Sequence, residues 1–186
     1  TDLRDHVAAV ITDVDDSPAR DIEENRDYFN SGVIYANLKK WKKQNYINSA
    51  FDILLDKNNK LSFPDQDVLN ILLTGKIKFI DRKFNTQYSI NYELKDITVN
   101  PVRNSTVLVH YIGPTKPWHS WGDYPVSSFF YQAKDASPWQ NTKLFEPQNT
   151  VQSRYAAKHF LKQKKFTQAF LCWGKYYAYK AKAIIK

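Results

Sequence analysis

The chain has 186 residues, 42% hydrophobic and 15% aromatic, with 27 basic against 19 acidic side chains for a net charge of +8. That composition allows a packed core and excludes a disordered polyelectrolyte. A single cysteine, Cys172, excludes an internal disulfide framework and fits a reducing cytoplasm; such a thiol reads as a small apolar filler in a helix. No apolar run approaches the ~20 residues of a membrane span, and no internal repeat or low-complexity tract occurs. Methionine is absent even at position 1, and the opening Thr1-Asp2-Leu3-Arg4-Asp5-His6 lacks a signal-peptide pattern, so the expectation is a piece of a longer protein, cloned or proteolysed.

In chain order, residues 7–12 and 32–36 read as short buried strands. Between them, Asp13-Val14-Asp15-Asp16 places two carboxylates at i and i+2, a spacing that could hold a metal. It runs into the charged, turn-like Ser17-Pro18-Ala19-Arg20-Asp21, however, so a solvated loop is expected there. Ile47, Ala50, Phe51, Leu54 and Leu55 follow the spacing of a core-facing helix. Asp65, just after Pro64, sits where an N-cap would, ahead of a second helical stripe of Val68, Leu69, Leu72 and Leu73. Residues 78–81 and 106–111 read as further strands. The alternation argues for an α/β layered fold with functional groups at strand ends and helix starts.

Residues 106–118 hold the densest chemistry. An apolar strand delivers His110, a turn follows at Gly113, and Lys116 lies just before Pro117 and Trp118. A neutral imidazole suits a borderline divalent metal, glycine lets backbone amides approach an anion, and lysine supplies a point charge for phosphate. These three tools for a metal-bound diphosphate fall within seven residues. The competing reading is a buried strand histidine followed by a surface turn. For Asp65, likewise, a helix cap competes with a polar group that meets a ligand beside free backbone amides.

With these segments in view, the chain resembles glycosyltransferase family 8. His110-Tyr111-Ile112-Gly113-Pro114-Thr115-Lys116-Pro117-Trp118 is similar to the family's C-terminal signature. Two further motifs match in order: Tyr28-Phe29-Asn30-Ser31-Gly32-Val33 followed by Asn37-Leu38-Lys39-Lys40-Trp41, and Pro64-Asp65-Gln66-Asp67-Val68-Leu69-Asn70. The resemblance implies that residues 1–122 are the C-terminal part of a GT-A, Rossmann-like catalytic domain and that residues 123–186 are a helical extension of the lipopolysaccharide-core glucosyl- and galactosyltransferase type. It implies that His110 binds Mn2+ or Mg2+, that Gly113 and Lys116 hold the diphosphate, and that Asp65 and Gln66 contact the donor sugar and are the candidate catalytic residues, Gln66 near the reacting face. Asn30 and Gly32 would line the same pocket. The activity implied is transfer of a hexose from UDP-glucose or UDP-galactose to the lipopolysaccharide core with retention of configuration. In the family, nucleotide-binding βαβ units and a metal-binding Asp-x-Asp precede a segment like Asp5-His6-Val7-Ala8-Ala9-Val10, so a chain without them is expected to be inactive alone. A sugar-nucleotide-binding or membrane-surface module without transfer activity is the alternative.

The charge is concentrated in the tail. Residues 137–186 carry ten lysines and arginines against the single acid Glu146, while the preceding body is close to neutral. Phe166, Phe170, Trp173, Tyr177, Ala181 and Ile184 form a helical stripe with Lys164, Lys165, Lys175, Lys180 and Lys182 mostly off it. One reading lays this helix on an anionic membrane surface, which would make the protein cytoplasmic and peripheral on the inner face of a bacterial inner membrane. The other packs the aromatics on the α/β body. A nucleic-acid role is disfavoured because the body is not basic and no RNA-binding motif is present.

Overall fold

A computed structural model describes residues 2–3, 5–13, 28–95 and 101–184. The chain divides into two compact units: residues 1–86 with 104–108, and residues 87–103 with 109–186.

The first unit is built on a three-stranded sheet of order β2-β1-β3, where β1 is Ala8–Val10, β2 Tyr35–Ala36 and β3 Ile77–Phe79. β1 pairs antiparallel with β2 (Ala9 opposite Tyr35) and parallel with β3 (Ala9 opposite Lys78). A parallel neighbour requires a crossover, and α1 (Leu38–Lys43), α2 (Tyr46–Leu55) and α3 (Pro64–Leu73) lie in it. β1 is fully buried, as a central strand with helical cover must be. The core joins Val7, Ala8 and Val10 to Phe29, Tyr46 and Leu73.

Several expectations change here. β2 is only two residues long, and Tyr35 is exposed rather than buried, since β2 is an edge strand. Helix α2 forms as its period requires, but Ile47, Phe51, Leu54 and Leu55 are 45–76% exposed; only Tyr46 of this helix is buried. The stripe on α3 does face inward, with Val68 and Leu73 buried and Leu69 and Leu72 against the core. Asp65 is not its N-cap. Phe63 holds that position, Pro64 opens the first turn, and the Phe63 N–H donates to the Asp67 carboxylate at 2.8 Å.

The second unit begins with Gln87 and Tyr88 of β4 (Thr86–Tyr88), which pairs with β5 (Val109–Tyr111). Helices α4 (Ser128–Asp135), α5 (Thr150–Lys162) and α6 (Phe166–Ile184) follow. The Asn149 side chain caps α5 by accepting the Gln152 N–H at 2.9 Å. At its other end Lys165 N–H returns to the Phe160 carbonyl and Lys164 N–H to that of Leu161, a Schellman turn with a lysine at φ 59° where glycine is usual. The turn lays α6 on α5, whose small residues Ala156 and Ala157 meet Ala169 and Cys172 around buried Trp121. Cys172 is the apolar filler expected. The aromatic stripe is not what packs: Phe166, Phe170, Tyr177 and Ile184 are 63–84% exposed, and of the stripe only Trp173 joins the cluster.

Candidate functional site

In the first unit, helix α3 presents a polar face to residues 28–31. Asn70 holds Phe29 from both sides, accepting its N–H at 2.8 Å and donating to its carbonyl at 2.9 Å. Tyr28 donates its hydroxyl to Asp67. Gln66, buried at 7% exposure, accepts from Ser31 N–H at 3.0 Å and Asn30 Nδ2 at 3.2 Å. Its amide nitrogen donates to Asp13 Oδ2 at 2.9 Å. Asn30 Nδ2 also reaches Asp13 Oδ1 (3.2 Å), and Asn30 Oδ1 accepts from Gly32 N–H (3.1 Å) and Asn85 Nδ2 (3.0 Å). Asp65 stays exposed, with the Ser31 hydroxyl 3.3 Å from its Oδ2.

This net unites Asn30, Gly32, Asp65 and Gln66. It also corrects the expectation for Asp13, which is half-buried and tied to Gln66 and Asn30 rather than part of a solvated loop; Asp15 and Asp16 lie outside the described residues. Chemically, Gln66 has no titratable proton, and its amide is fixed at both ends, so it suits holding geometry rather than moving a proton. Asp65 is the exposed carboxylate of this net.

In the second unit, β5 carries half-buried His110 into a turn that the following residues hold rigidly. Gly113 has φ +76°, a left-handed backbone that suits glycine, and an added Cβ would meet Ser89 Oγ at 2.9 Å. The Lys116 ammonium donates to the Tyr111 carbonyl across the turn and lies 6.0 Å from the Trp118 ring centre. Burial pulls its pKa below the usual lysine value. The Lys116 N–H donates to His119 Nδ1 at 3.2 Å, and the Lys116 carbonyl accepts from His119 N–H at 3.0 Å. His119 stacks on Trp121 (4.3 Å between ring centres), and both burial and the Lys116 charge keep its imidazole neutral by lowering its pKa. Gly122 is needed for close approach, because a Cβ there would lie 2.2 Å from the Lys116 carbonyl oxygen.

Beneath the turn is fully buried Thr115, whose hydroxyl lies 3.2 Å from His159 Nε2. His159, on α5, has Asn91 Oδ1 at 2.9 Å from the same nitrogen and the Tyr124 hydroxyl at 2.8 Å from Nδ1. An amide oxygen only accepts, so Nε2 carries the proton and Nδ1 receives that of Tyr124. Burial lowers the His159 pKa to about 4.

The model of glycosyl transferase family 8 matches residues 1–122, and that of the family's C-terminal part matches residues 124–180. The chain belongs to glycosyltransferase family 8. It is 54% identical over 142 residues to the lipopolysaccharide 1,3-galactosyltransferase of Salmonella typhimurium, covering 75% of this chain and 42% of that one. With the lipopolysaccharide glucosyltransferase WaaO of Escherichia coli it shares 49% over 158 residues, 83% of this chain and 47% of the other. Among solved structures, the galactosyltransferase LgtC in complex with donor and acceptor sugar analogues superposes with a TM-score of 0.57 at 26% identity, covering 74% of this chain and 54% of that one. The fold is therefore that of the GT-A glycosyltransferases. The chain spans about half the length of the curated relatives it matches.

The sequence singles out His110, Gly113, Lys116, Asn30, Gly32, Asp65 and Gln66 as candidates but not the groups that hold these side chains and turns in place. His119 and Gly122 stand close enough to Lys116 to have been suspected, Gly122 as an isolated glycine after Trp121. Asp13, Asn85 and His159 gave no local signal. Among the described residues no three His, Cys, Asp or Glu side chains converge on a point that could hold a metal ion.

Proposed function

We propose that the chain is part of a metal-dependent retaining hexosyltransferase that moves glucose or galactose from its UDP-sugar to the lipopolysaccharide core. The observation that carries this reading is the Gly113–Lys116 turn, a left-handed glycine and a desolvated ammonium on a backbone braced from His119, Gly122 and Thr115. Such a turn suits an anion gripped by a fixed backbone, with only the lysine head changing partner. Lys116 would exchange its bond to the Tyr111 carbonyl for a diphosphate oxygen. Asp65 would take a hydroxyl of the hexose, with Gln66, Asn30 and Asp13 holding the end of α3 in place. A divalent ion, when bound, would neutralise charge on the departing diphosphate. His110 fits as one of its ligands, being a half-buried imidazole at the end of a strand.

The test is donor specificity and product stereochemistry. A protein containing these 186 residues should transfer hexose from UDP-glucose or UDP-galactose to a core oligosaccharide with the anomeric configuration kept. Inverted product would overturn the mechanism, and donor binding without transfer in such a protein would leave the non-catalytic module.

A second reading rests on α6. Its exposed Phe166, Phe170, Tyr177 and Ile184 share the helix with Lys175, Lys180 and Lys182, as suits a helix lying in an anionic membrane surface at the cytoplasmic face. No helix among the described residues is long and apolar enough to cross a membrane. Each lysine near such a surface contributes about 1 kcal/mol. Reversing Lys175, Lys180 and Lys182 to Glu should therefore release the protein from phosphatidylglycerol vesicles, and Phe170→Ala should weaken pelleting even at low salt. Trp173 is the wrong probe, because it also packs on the helix pair. Pelleting that survives the triple reversal would defeat the membrane reading.

A further inference from the structure

A cavity of about 360 Å³ lies in the second unit between α4 and residues 137–145, with one wall, Trp118, whose ring centre is 6.0 Å from the Lys116 ammonium. Its walls are Trp118, Phe130, Trp139, Leu144 and Phe145, with Ala133 on the α4 side. The volume is within the range of small-molecule sites, roughly 300–1,000 Å³. The walls are joined by backbone: Phe145 N–H donates to the Trp118 carbonyl at 2.8 Å, and Ser120 N–H to that of Phe145 at 3.0 Å. The Trp118 and Phe130 rings stand 5.8 Å apart. The cavity is thus preformed rather than a gap between mobile side chains, and it opens to solvent along Trp139 and Phe145, which are 68% and 56% exposed.

The polar side chains around it mostly serve the loop itself. Ser137 Oγ donates to the Lys134 carbonyl at 2.7 Å and accepts the Trp139 N–H at 3.2 Å, and the Lys134 ammonium donates to the Gln140 carbonyl. A saccharide would find aromatic surface here but few unspent partners for its hydroxyls. An aliphatic chain needs none. Lys143, an exposed lining residue, can meet a charged head, in a segment where residues 137–186 hold one acid against ten basic groups.

We infer that this cavity binds a single alkyl chain of an anionic amphiphile, its head group paired with Lys143. This site borders the Lys116 turn through Trp118 and shares no lining residue with the exposed stripe of α6, and it would let the protein grip one lipid molecule rather than a lipid plane.

The test uses the 186-residue chain and alkyl phosphates below their micellar concentration, read by tryptophan emission, since Trp118 and Trp139 form the walls. Each buried methylene should tighten binding about fourfold until the cavity is full, so octyl phosphate should bind about tenfold or more tightly than hexyl phosphate, with a plateau at longer chains. Inorganic phosphate should give no saturable change. Lys143→Glu should weaken octyl phosphate several-fold and leave octyl glucoside unaffected. Ala133→Phe and Leu144→Trp, two independent ways of filling the cavity, should abolish binding without lowering the melting temperature. Absence of saturable binding or of chain-length dependence in the unaltered chain would overturn the inference without recourse to any variant. So would binding of methyl glucoside as tight as that of octyl phosphate, which would make this a saccharide site.

Discussion

Lys116→Ala should lower the rate of hexose transfer by about 10- to 1000-fold, the range for removal of one preorganised electrostatic group. The same substitution should weaken UDP-hexose binding by a protein containing these 186 residues. The stability cost should be small. The Tyr111 carbonyl loses its ammonium partner, but the desolvation of that ammonium is relieved at the same time, so the net cost is about 1 kcal/mol and the melting temperature moves by about 2–4 °C. His110→Ala should match it in rate and also lower Mn2+ affinity, a readout separate from activity. A His110→Ala protein that unfolds, or one whose Mn2+ affinity is unchanged, would mark His110 as a structural strand residue. A Lys116→Ala protein with full donor affinity would remove the turn from the donor site.

The two groups of candidate residues were legible to different degrees for a physical reason. His110, Gly113 and Lys116 stand within one short segment, so residue chemistry and spacing together point at an anion. Asp13 meets Asn30 and Gln66 across 17 and 53 residues, and no local pattern distinguishes a carboxylate satisfied that way from one in a loop. Helix α3 was readable because its apolar stripe and its inward face coincide. Helix α2 has an equally regular stripe whose face is exposed; periodicity reports that a helix is amphipathic, not what covers it. On α6 the conspicuous aromatics faced out, and packing fell to Ala169 and Cys172, because helices approach closely where side chains are small. The strands were too short to bound from propensity, with β2 only two residues long.

His159→Leu should cost about 2–4 kcal/mol of stability, the range for breaking a buried hydrogen-bond network. Leucine fills much of the volume but leaves the Tyr124 hydroxyl and the Asn91 and Thr115 side chains without their imidazole partner. Because Thr115 lies between Gly113 and Lys116, donor affinity should fall as well, and His159→Gln, which can both donate and accept, should restore part of each. The histidine also sets an acid limit. Above pH about 6.5 the ring is neutral in the folded and unfolded chain alike and contributes no pH dependence. Below it the unfolded chain takes up a proton that the folded chain, with a pKa of about 4, refuses, so stability declines as pH falls from 6.5 to 4. That gap is worth about 3 kcal/mol at its lower end. Urea unfolding at pH 7, 5.5 and 4.5 should show the decline in the unaltered chain and a shallower one in His159→Leu, the difference isolating this ring from carboxylates that titrate in both. Parallel declines, or a variant as stable as the parent at pH 7, would mean that the imidazole does not brace the turn.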